Sequence, residues 1–160
     1  MKALSILYIL TLSVGVSATE LGEIRKMYAK ANADEVMHSK LVSSLETIEK
    51  SAPTLFGYKA AAHMMSAQYT YNPYSKYRYF KEGRSMIESI IRSHPNNSEL
   101  RYIRLSIQLN LPEMLNYSDN IEEDTNFLLR DFKLISDPSL KSRIRELLIH
   151  FDLCKATQLQ

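Results

Sequence analysis

The chain has 160 residues, with 20 Lys and Arg against 18 Asp and Glu, four glycines and one cysteine. A single cysteine excludes an intramolecular disulfide, and the balanced charge excludes a general attraction to nucleic acid or anionic membrane. A chain of this length buries a sizeable core in one domain. Few glycines and no stretch of alternating apolar and polar residues predict an all-α fold.

The first 18 residues have the pattern of a secretory signal peptide. Lys2 precedes an apolar run over residues 3–12, and small residues end the segment at Val16-Ser17-Ala18. The run is too short to span a bilayer well, and no cysteine follows it to carry a lipid. We therefore expect cleavage after Ala18, an exported periplasmic or secreted product, and no stable membrane insertion after cleavage. Residues 19–160 are predicted to form one helical domain.

Three amphipathic helices are predicted in the first half of that domain. Apolar residues at helical spacing indicate helices over residues 20–32, 35–50 and 55–69. Asp34 is predicted to cap the second helix and Thr54 the third. The second helix is expected to contain a Glu46–Lys50 pair in its last turn. Three consecutive alanines at 60–62 predict a close contact between the third helix and a neighbour.

A fourth helix is predicted from Pro73 to about Ser93. Its inward face is expected to contain Tyr77, Phe80, Gly83, Ile87, Ile90 and Ile91. The spacing of Gly83, Ile87, Ile90 and Pro95 resembles the positions that close a tetratricopeptide repeat, and PNNSEL resembles the turn into a next repeat. Ile87 stands where an aromatic residue is usual. The resemblance covers about one repeat and implies helical hairpins in a compact, tetratricopeptide-repeat-like arrangement of about six to seven helices.

The next helix is expected at the centre of the domain. Leu100, Ile103, Ile107 and Leu111 fall at helical spacing, and Tyr102 and Leu105 widen the apolar face. A helix that is apolar over most of its circumference is packed on more than one side. Ser98 is its predicted N-cap.

Two arginines on this central helix need partners, because an unpaired charge is costly to bury. Arg101 and Arg104 lie three residues apart, and the nearest run of carboxylates is Glu122, Glu123 and Asp124. We predict that Arg104 lies in the interior and forms a structural ion pair with Asp124. Glu123 is the predicted substitute partner.

Two more helices complete the predicted domain. Asp119 or Asn120 is expected to cap the sixth, which opens with acidic residues where the helix dipole favours them. Asp137 is expected to cap the last helix, and the tail from Lys155 is expected to fray.

The whole pattern also resembles a group of uncharacterised exported helical proteins of Bacteroidetes. The stretches that carry this resemblance are SAPTLFGYKAAAHMM, the Asn-Pro pair before the tyrosine cluster, HPNNSELRYIRLSIQ, and the series Pro112, Leu115, Tyr117, Ile121 and Asp124. It spans most of residues 19–160. It implies an exported helical fold and no particular function.

Tyrosines and basic residues are concentrated in residues 69–84, YTYNPYSKYRYFKEGR. Interleaved aromatic and basic side chains can stack on and neutralise an anionic polymer or a glycan. The candidate binding residues are Tyr71, Tyr74, Lys76, Arg78, Lys81 and Arg101. The favoured interpretation is that the cluster is mostly structural: Tyr77 and Phe80 belong to the core, Tyr74 and Arg78 are more exposed, and the charges are a solvated face.

The other candidate sites are weak. His150 and Cys154 are four residues apart on the last helix, but two ligands are too few for a metal site. Glu122, Glu123 and Asp124 could be read as the carboxylates of a muramidase, yet adjacent residues at a helix start point in different directions. We expect no metal, no cofactor and no enzymatic activity.

The leading hypothesis is an exported, non-enzymatic helical module that binds an envelope protein or peptide on the concave side of its hairpins. The alternative is a binder of an anionic polymer or glycan through residues 69–84, and a hydrolase is a distant third. Nucleic acid is not an expected partner, and the sequence makes no prediction of oligomeric state.

Overall fold

The structure is a computed structural model that describes residues 18–159, and it contains seven α-helices and no strand in that part of the chain. The helices are α1 (Ala18–Ala31), α2 (Glu35–Leu45), α3 (Pro53–Met65), α4 (Pro73–Ser93), α5 (Ser98–Asn110), α6 (Ile121–Asp131) and α7 (Pro138–His150). Short 3-10 turns lie at Glu113–Leu115, Phe132–Leu134 and Ala156–Leu159. The all-α prediction is confirmed. The predicted signal peptide, apart from Ala18, lies outside the described residues.

Consecutive helices pack as hairpins: α1 on α2, α3 on α4, and α5 on α6. The odd-numbered helices also touch in order, so that α1, α3, α5 and α7 form a continuous layer. The hairpins that the sequence predicts are therefore present. None of the helices in residues 18–159 combines the length and apolar content needed to cross a membrane.

Helix α5 lies at the centre of the domain. Every residue from 99 to 108 is buried, and the helix contacts α3, α4, α6 and α7. The prediction of a central helix packed on several sides is confirmed. Because α5 is buried all round, its polar side chains must find partners inside the protein.

Helices α3 and α4 make a close contact at Gly83. A Cβ added at Gly83 would lie 2.8 Å from the carbonyl oxygen of Ala60 and 2.4 Å from Cγ of Met64. Ala60, Ala61 and Ala62 are all buried. The predicted close contact of the alanine run is confirmed, and Gly83 is the residue that lets α4 approach it.

Two predicted helix caps are wrong by a small shift. Asn97, not Ser98, caps α5: its Oδ1 accepts the backbone N–H groups of Glu99 and Leu100 at 3.0 and 3.1 Å. Helix α3 begins at Pro53, a residue suited to the first helical position, so Thr54 is already inside the helix. The carboxamide of Asn97 donates to the Thr54 hydroxyl at 3.1 Å and joins the two helix starts.

Asp34 and Asp137 cap α2 and α7 as predicted. Asn120 holds the cap position of α6, but its side chain accepts no backbone N–H group there. Its amide donates to Glu123 at 3.2 Å instead.

The predicted end of the second helix is wrong. Helix α2 stops at Leu45, so Glu46 and Lys50 are no longer one helical turn apart. The ammonium of Lys59 stabilises the end of α2 by donating hydrogen bonds to the carbonyl oxygens of Glu46 and Ile48, at 2.6 and 2.9 Å. Lys50 donates to Ser89 on α4.

The predicted fraying of the tail is also wrong for its described part. Residues 156–159 form a 3-10 turn, and Leu159 is 1% exposed. The guanidinium of Arg145 donates to the Leu159 carbonyl oxygen at 3.0 Å. Burial of one leucine and this hydrogen bond hold the tail against α7.

Candidate functional site

The structure contains an open, largely apolar groove of about 620 Å³. It lies where the C-terminal ends of α1, α3 and α5 meet the first two turns of α4. We call it the apolar groove and define it by the lining residues Tyr28, Met64, Met65, Tyr77, Phe80, Ile107 and Met114. Helix α7 contributes Leu147, so each helix of the odd-numbered layer reaches the groove.

The groove explains why one predicted core residue is exposed. Tyr77 is 59% exposed, which contradicts its expected place in the core, whereas Phe80 is 8% exposed as expected. The two residues lie one turn apart on α4, and both line the groove. Phe80 forms its floor, while Tyr77 stands at its edge beside solvent. Met114, 88% exposed, lies on the 3-10 turn that follows α5.

The polar groups of the groove are few, and the deeper ones are already bonded. The hydroxyls of Tyr28 and Ser106 are 2.7 Å apart, and Ser106 donates to the carbonyl oxygen of Ile103 at 2.8 Å. Asn110 donates to the Ser106 carbonyl oxygen at 2.8 Å. Burial raises the pKa of Tyr28, so this hydroxyl stays protonated to a higher pH than an exposed tyrosine does.

Lys76 supplies the one formal charge among the groove residues that the structure describes. Its side chain is exposed, and no carboxylate lies within ion-pair distance in residues 18–159. The described lining includes no carboxylate, histidine or cysteine. This composition suits binding of an apolar group beside an anion.

The other candidate residues of the segment 69–84 lie on the solvent face of α4 or just before its first residue. Tyr71 and Tyr74 are 101% and 74% exposed, and Arg78 and Lys81 are exposed as well. Of these four residues, Tyr74, Arg78 and Lys81 are four and three positions apart and lie on one side of α4, and Tyr71 lies two residues before the helix begins. We call them the aromatic–basic strip. Tyr77 lies between the strip and the groove.

Asp124 is the centre of a buried ion cluster. Its carboxylate is fully buried and accepts two hydrogen bonds from Arg104, both at 2.7 Å. Arg101 donates to the same carboxylate at 2.9 Å. Arg104 also donates to Glu88 at 2.9 Å. Burial acts to lower the pKa of Arg104, but the hydrogen bonds and charge of Asp124 outweigh it and raise the pKa.

This geometry contradicts the assignment of Arg101 as a binding residue. Arg101 is 8% exposed, and its guanidinium donates to Glu123 at 2.6 Å, to Asp124, and to the Pro95 carbonyl oxygen at 3.1 Å. With these donors engaged, it has little to offer a ligand. Glu123 lies closer to Arg101 than to Arg104, because its carboxylate is 3.9 Å from the guanidinium of Arg104. Two of the three carboxylates that could be read as a muramidase set, those of Glu123 and Asp124, are thus paired with these arginines.

A second buried ion cluster was not predicted from the sequence. Arg25 on α1 makes two hydrogen bonds to Glu99, at 2.6 and 2.7 Å, and one to Asp137 at 2.7 Å. The Tyr58 hydroxyl donates to Glu99 at 2.7 Å. The members come from α1, α3, α5 and the cap of α7. A single arginine on an otherwise ordinary amphipathic helix gives no sequence signal of such partners.

The groove was also missed, although its signals are visible in retrospect. Ala29, Met64, Met65 and Met114 are small or flexible apolar residues near helix ends, where a packed core would place larger side chains. Tyr77 is one aromatic residue more than the inward face of α4 can bury. Neither signal identifies a groove until the helix ends are brought together.

The histidines and the cysteine do not form a metal site. In residues 18–159 no group of three or more His, Cys, Asp or Glu side chains is placed to hold a metal ion. His38 lies 3.0 Å from the Ala62 carbonyl oxygen, and His63 lies 2.8 Å from Glu82. Cys154 is a half-buried free thiol, and burial raises its pKa.

No protein-family model, curated protein or solved structure matches the chain.

Proposed function

We propose that the protein is an exported, non-enzymatic binding module whose apolar groove holds an amphipathic helical segment of another envelope protein or peptide. The observation that carries this proposal is the groove itself, a half-open apolar surface with exposed Tyr77 and Met114 at its mouth. Exposed apolar surface of this kind is costly to leave in water and marks interaction sites.

The open shape favours a peptide over a small enclosed ligand. Pro73, Lys76, Tyr77, Asn110 and Met114 all line the groove and are all exposed, so a chain can enter from the side. Three lining methionines offer flexible side chains that adapt to a helical apolar face. A helix presenting residues at three- and four-residue spacing has the right form to fill such a groove.

Lys76 sets the charge of the proposed partner. Its ammonium stands at the groove mouth without a carboxylate within ion-pair distance among the described residues, so an acidic side chain flanking the partner's apolar face would pair with it. The proposed occupant is therefore an amphipathic helix with apolar anchors and at least one Asp or Glu beside them.

The test begins with a photo-crosslinking amino acid at position 114, in cells that export the protein. The crosslinked segment is identified by mass spectrometry, synthesised, and titrated against the purified protein. We expect an amphipathic segment with an acidic flank. The affinity of this peptide should fall about tenfold or more when Ala29→Trp obstructs the groove, because the binding free energy of one apolar anchor is then lost.

The matched control is Val42→Trp, which adds the same ring to an exposed site on α2 away from the groove. It should leave the affinity unchanged, and Lys76→Gln should weaken it only for peptides that keep their acidic residue. Recovery of an acyl-chain molecule in place of a peptide would overturn the proposal. So would equal effects of Ala29→Trp and Val42→Trp.

Export is part of the same proposal and rests on the signal-peptide pattern of residues 1–18. Mass spectrometry of the exported protein should find Thr19 at the N-terminus. An intact Met1 in the membrane pellet would contradict both cleavage and export.

A further inference from the structure

We propose that the aromatic–basic strip, Tyr71, Tyr74, Arg78 and Lys81, is a second binding surface, and that its ligand is a uronic-acid polysaccharide. This inference is independent of the groove, because none of these four residues lines it.

The strip collects most of the aromatic side chains that the domain leaves in water. In residues 18–159 the exposed large aromatic residues are Tyr71, Tyr74 and Tyr77, all within seven positions. The remaining exposed large apolar residues are scattered aliphatic ones, Val36, Val42, Met114, Leu134 and Ile149. Clustered exposed rings mark an interaction surface more strongly than single ones do.

The charge of the strip is unopposed. Neither Arg78 nor Lys81 forms an ion pair within the described residues. The carboxylates closest in sequence are engaged elsewhere: Glu82 lies 2.8 Å from His63, and Glu88 accepts from Arg104. The guanidinium of Arg78 lies over the Tyr79 ring, 5.6 Å from its centroid. The strip therefore presents two cations that no described carboxylate neutralises beside two exposed rings, which favours a polyanionic ligand.

The geometry favours a sugar polymer over an acidic peptide. From Tyr74 to Lys81 the strip extends about 10 Å along α4, at about 1.5 Å per residue, and Tyr71 lies two residues before the helix begins. The face of a tyrosine ring is electron-rich and attracts the C–H face of a pyranose ring. The guanidinium of Arg78 can bind a carboxylate through two parallel hydrogen bonds. A uronic-acid polymer offers ring faces and carboxylates in alternation along one chain.

Calorimetric titration of the full-length protein with polygalacturonate tests this inference, with neutral dextran and polyglutamate as comparison polymers. We expect binding to polygalacturonate that is at least tenfold tighter than binding to either comparison polymer. The charge variant Arg78→Gln/Lys81→Gln and the ring variant Tyr71→Ala/Tyr74→Ala should each weaken it about tenfold. The variant Tyr71→Phe/Tyr74→Phe keeps the rings and should retain binding.

Matched controls separate the strip from general charge and hydrophobicity. Lys40→Gln/Lys133→Gln removes two exposed cations elsewhere, and Val36→Ala/Leu134→Ala trims two exposed apolar side chains. Both should bind within twofold of the unmodified protein. Because all the substituted residues are exposed, the variants should keep the helical circular dichroism spectrum.

The inference is overturned if polygalacturonate does not bind, or if polyglutamate binds equally well, since charge alone would then suffice. It is also overturned if the strip variants behave like their controls. Tighter binding of single-stranded oligothymidylate would assign the strip to nucleic acid instead.

Discussion

Individual buried charges in this protein depend on several partners at once. Asp124 accepts from two arginines, and Arg25 reaches two carboxylates. A buried ion pair contributes little net stability against apolar residues of the same volume, because both charges lose their hydration. Losing one partner is different, since the remaining charge stays buried without compensation.

We predict that Arg104→Met and Asp124→Leu each lower the free energy of unfolding by about 3 to 5 kcal/mol. The double variant should lose less than the sum of the two, with a coupling of about 1 to 3 kcal/mol, because it leaves neither charge unpaired. Urea unfolding of the four proteins measures this cycle.

The control cycle uses Lys26 and Glu23, an exposed pair 2.7 Å apart on α1. The coupling of Lys26→Met with Glu23→Leu should stay below about 0.5 kcal/mol, since water and salt screen such pairs. Strict additivity at Arg104 and Asp124 would show that their contact does not contribute to stability.

At the scale of single helices, two adjacent residues at the start of α5 have different structural roles. Asn97 lies in the extended region and caps the helix, whereas Ser98 is its first helical residue. Both residue types are good caps, so composition alone does not choose between them. The choice is made by the contact of Asn97 with Thr54 on α3.

We predict that Asn97→Ala lowers the free energy of unfolding by about 0.5 to 2 kcal/mol, because two backbone N–H groups lose their acceptor. Ser98→Ala is the matched change one position later and should stay within about 0.5 kcal/mol of the unmodified protein. Thermal unfolding of both variants checks the assignment. A larger loss for Ser98→Ala would restore Ser98 as the cap.

Glycines in two helices should respond oppositely to the same substitution. Gly83→Ala should destabilise by about 1 to 3 kcal/mol, because the added methyl group meets the Ala60 carbonyl oxygen and Met64 across the contact of α3 and α4. Gly22→Ala meets no atom within 4 Å and should stabilise α1 by about 0.5 to 1 kcal/mol. Urea unfolding measures both. A neutral Gly83→Ala would mean that the two helices separate easily.

The whole molecule buries several tyrosine hydroxyls. Burial is the largest cause that raises the pKa of Tyr28, Tyr58, Tyr102 and Tyr117. The charge and hydrogen bond of Glu99 act in the same direction on Tyr58, and those of Glu88 on Tyr117. The folded protein therefore keeps these protons at a pH where the unfolded chain begins to lose them.

We predict that stability is constant with respect to these tyrosines below about pH 10 and falls as the pH rises above it. Above that pH the unfolded chain binds fewer protons than the folded one, so each buried tyrosine lowers stability by about 1.4 kcal/mol per pH unit. Urea unfolding between pH 8 and 11 measures the slope.

Tyr117→Phe should make the fall of the unfolding free energy with pH less steep by the contribution of about one proton, because it removes one titrating hydroxyl. Ile103→Val is the control: it should lower stability by about 0.5 to 1.5 kcal/mol at every pH and leave the slope unchanged. A slope that is the same for Tyr117→Phe and the unmodified protein would contradict the prediction.

The sequence alone determined the helical class, the central place of α5 and the pairing of Arg104 with Asp124. The reason is that helical periodicity depends only on nearby residues. A charge on an apolar helix needs an opposite charge as its partner, and the sequence offers few of them. Asp34 and Asp137 were predictable as caps for the same reason, because the capping bond joins residues two or three positions apart.

Only the tertiary structure decided the groove, the cluster around Arg25 and the exposure of Tyr77. Each depends on how the ends of separate helices meet: Arg25 and Asp137 are 112 positions apart. Tyr77 and Phe80 have the same periodicity and similar hydrophobicity, yet only Phe80 is covered. Periodicity predicts which side of a helix faces its neighbours. Where a neighbouring helix ends, part of that side is left exposed to solvent. The place where the neighbour ends depends on the packing of the whole chain.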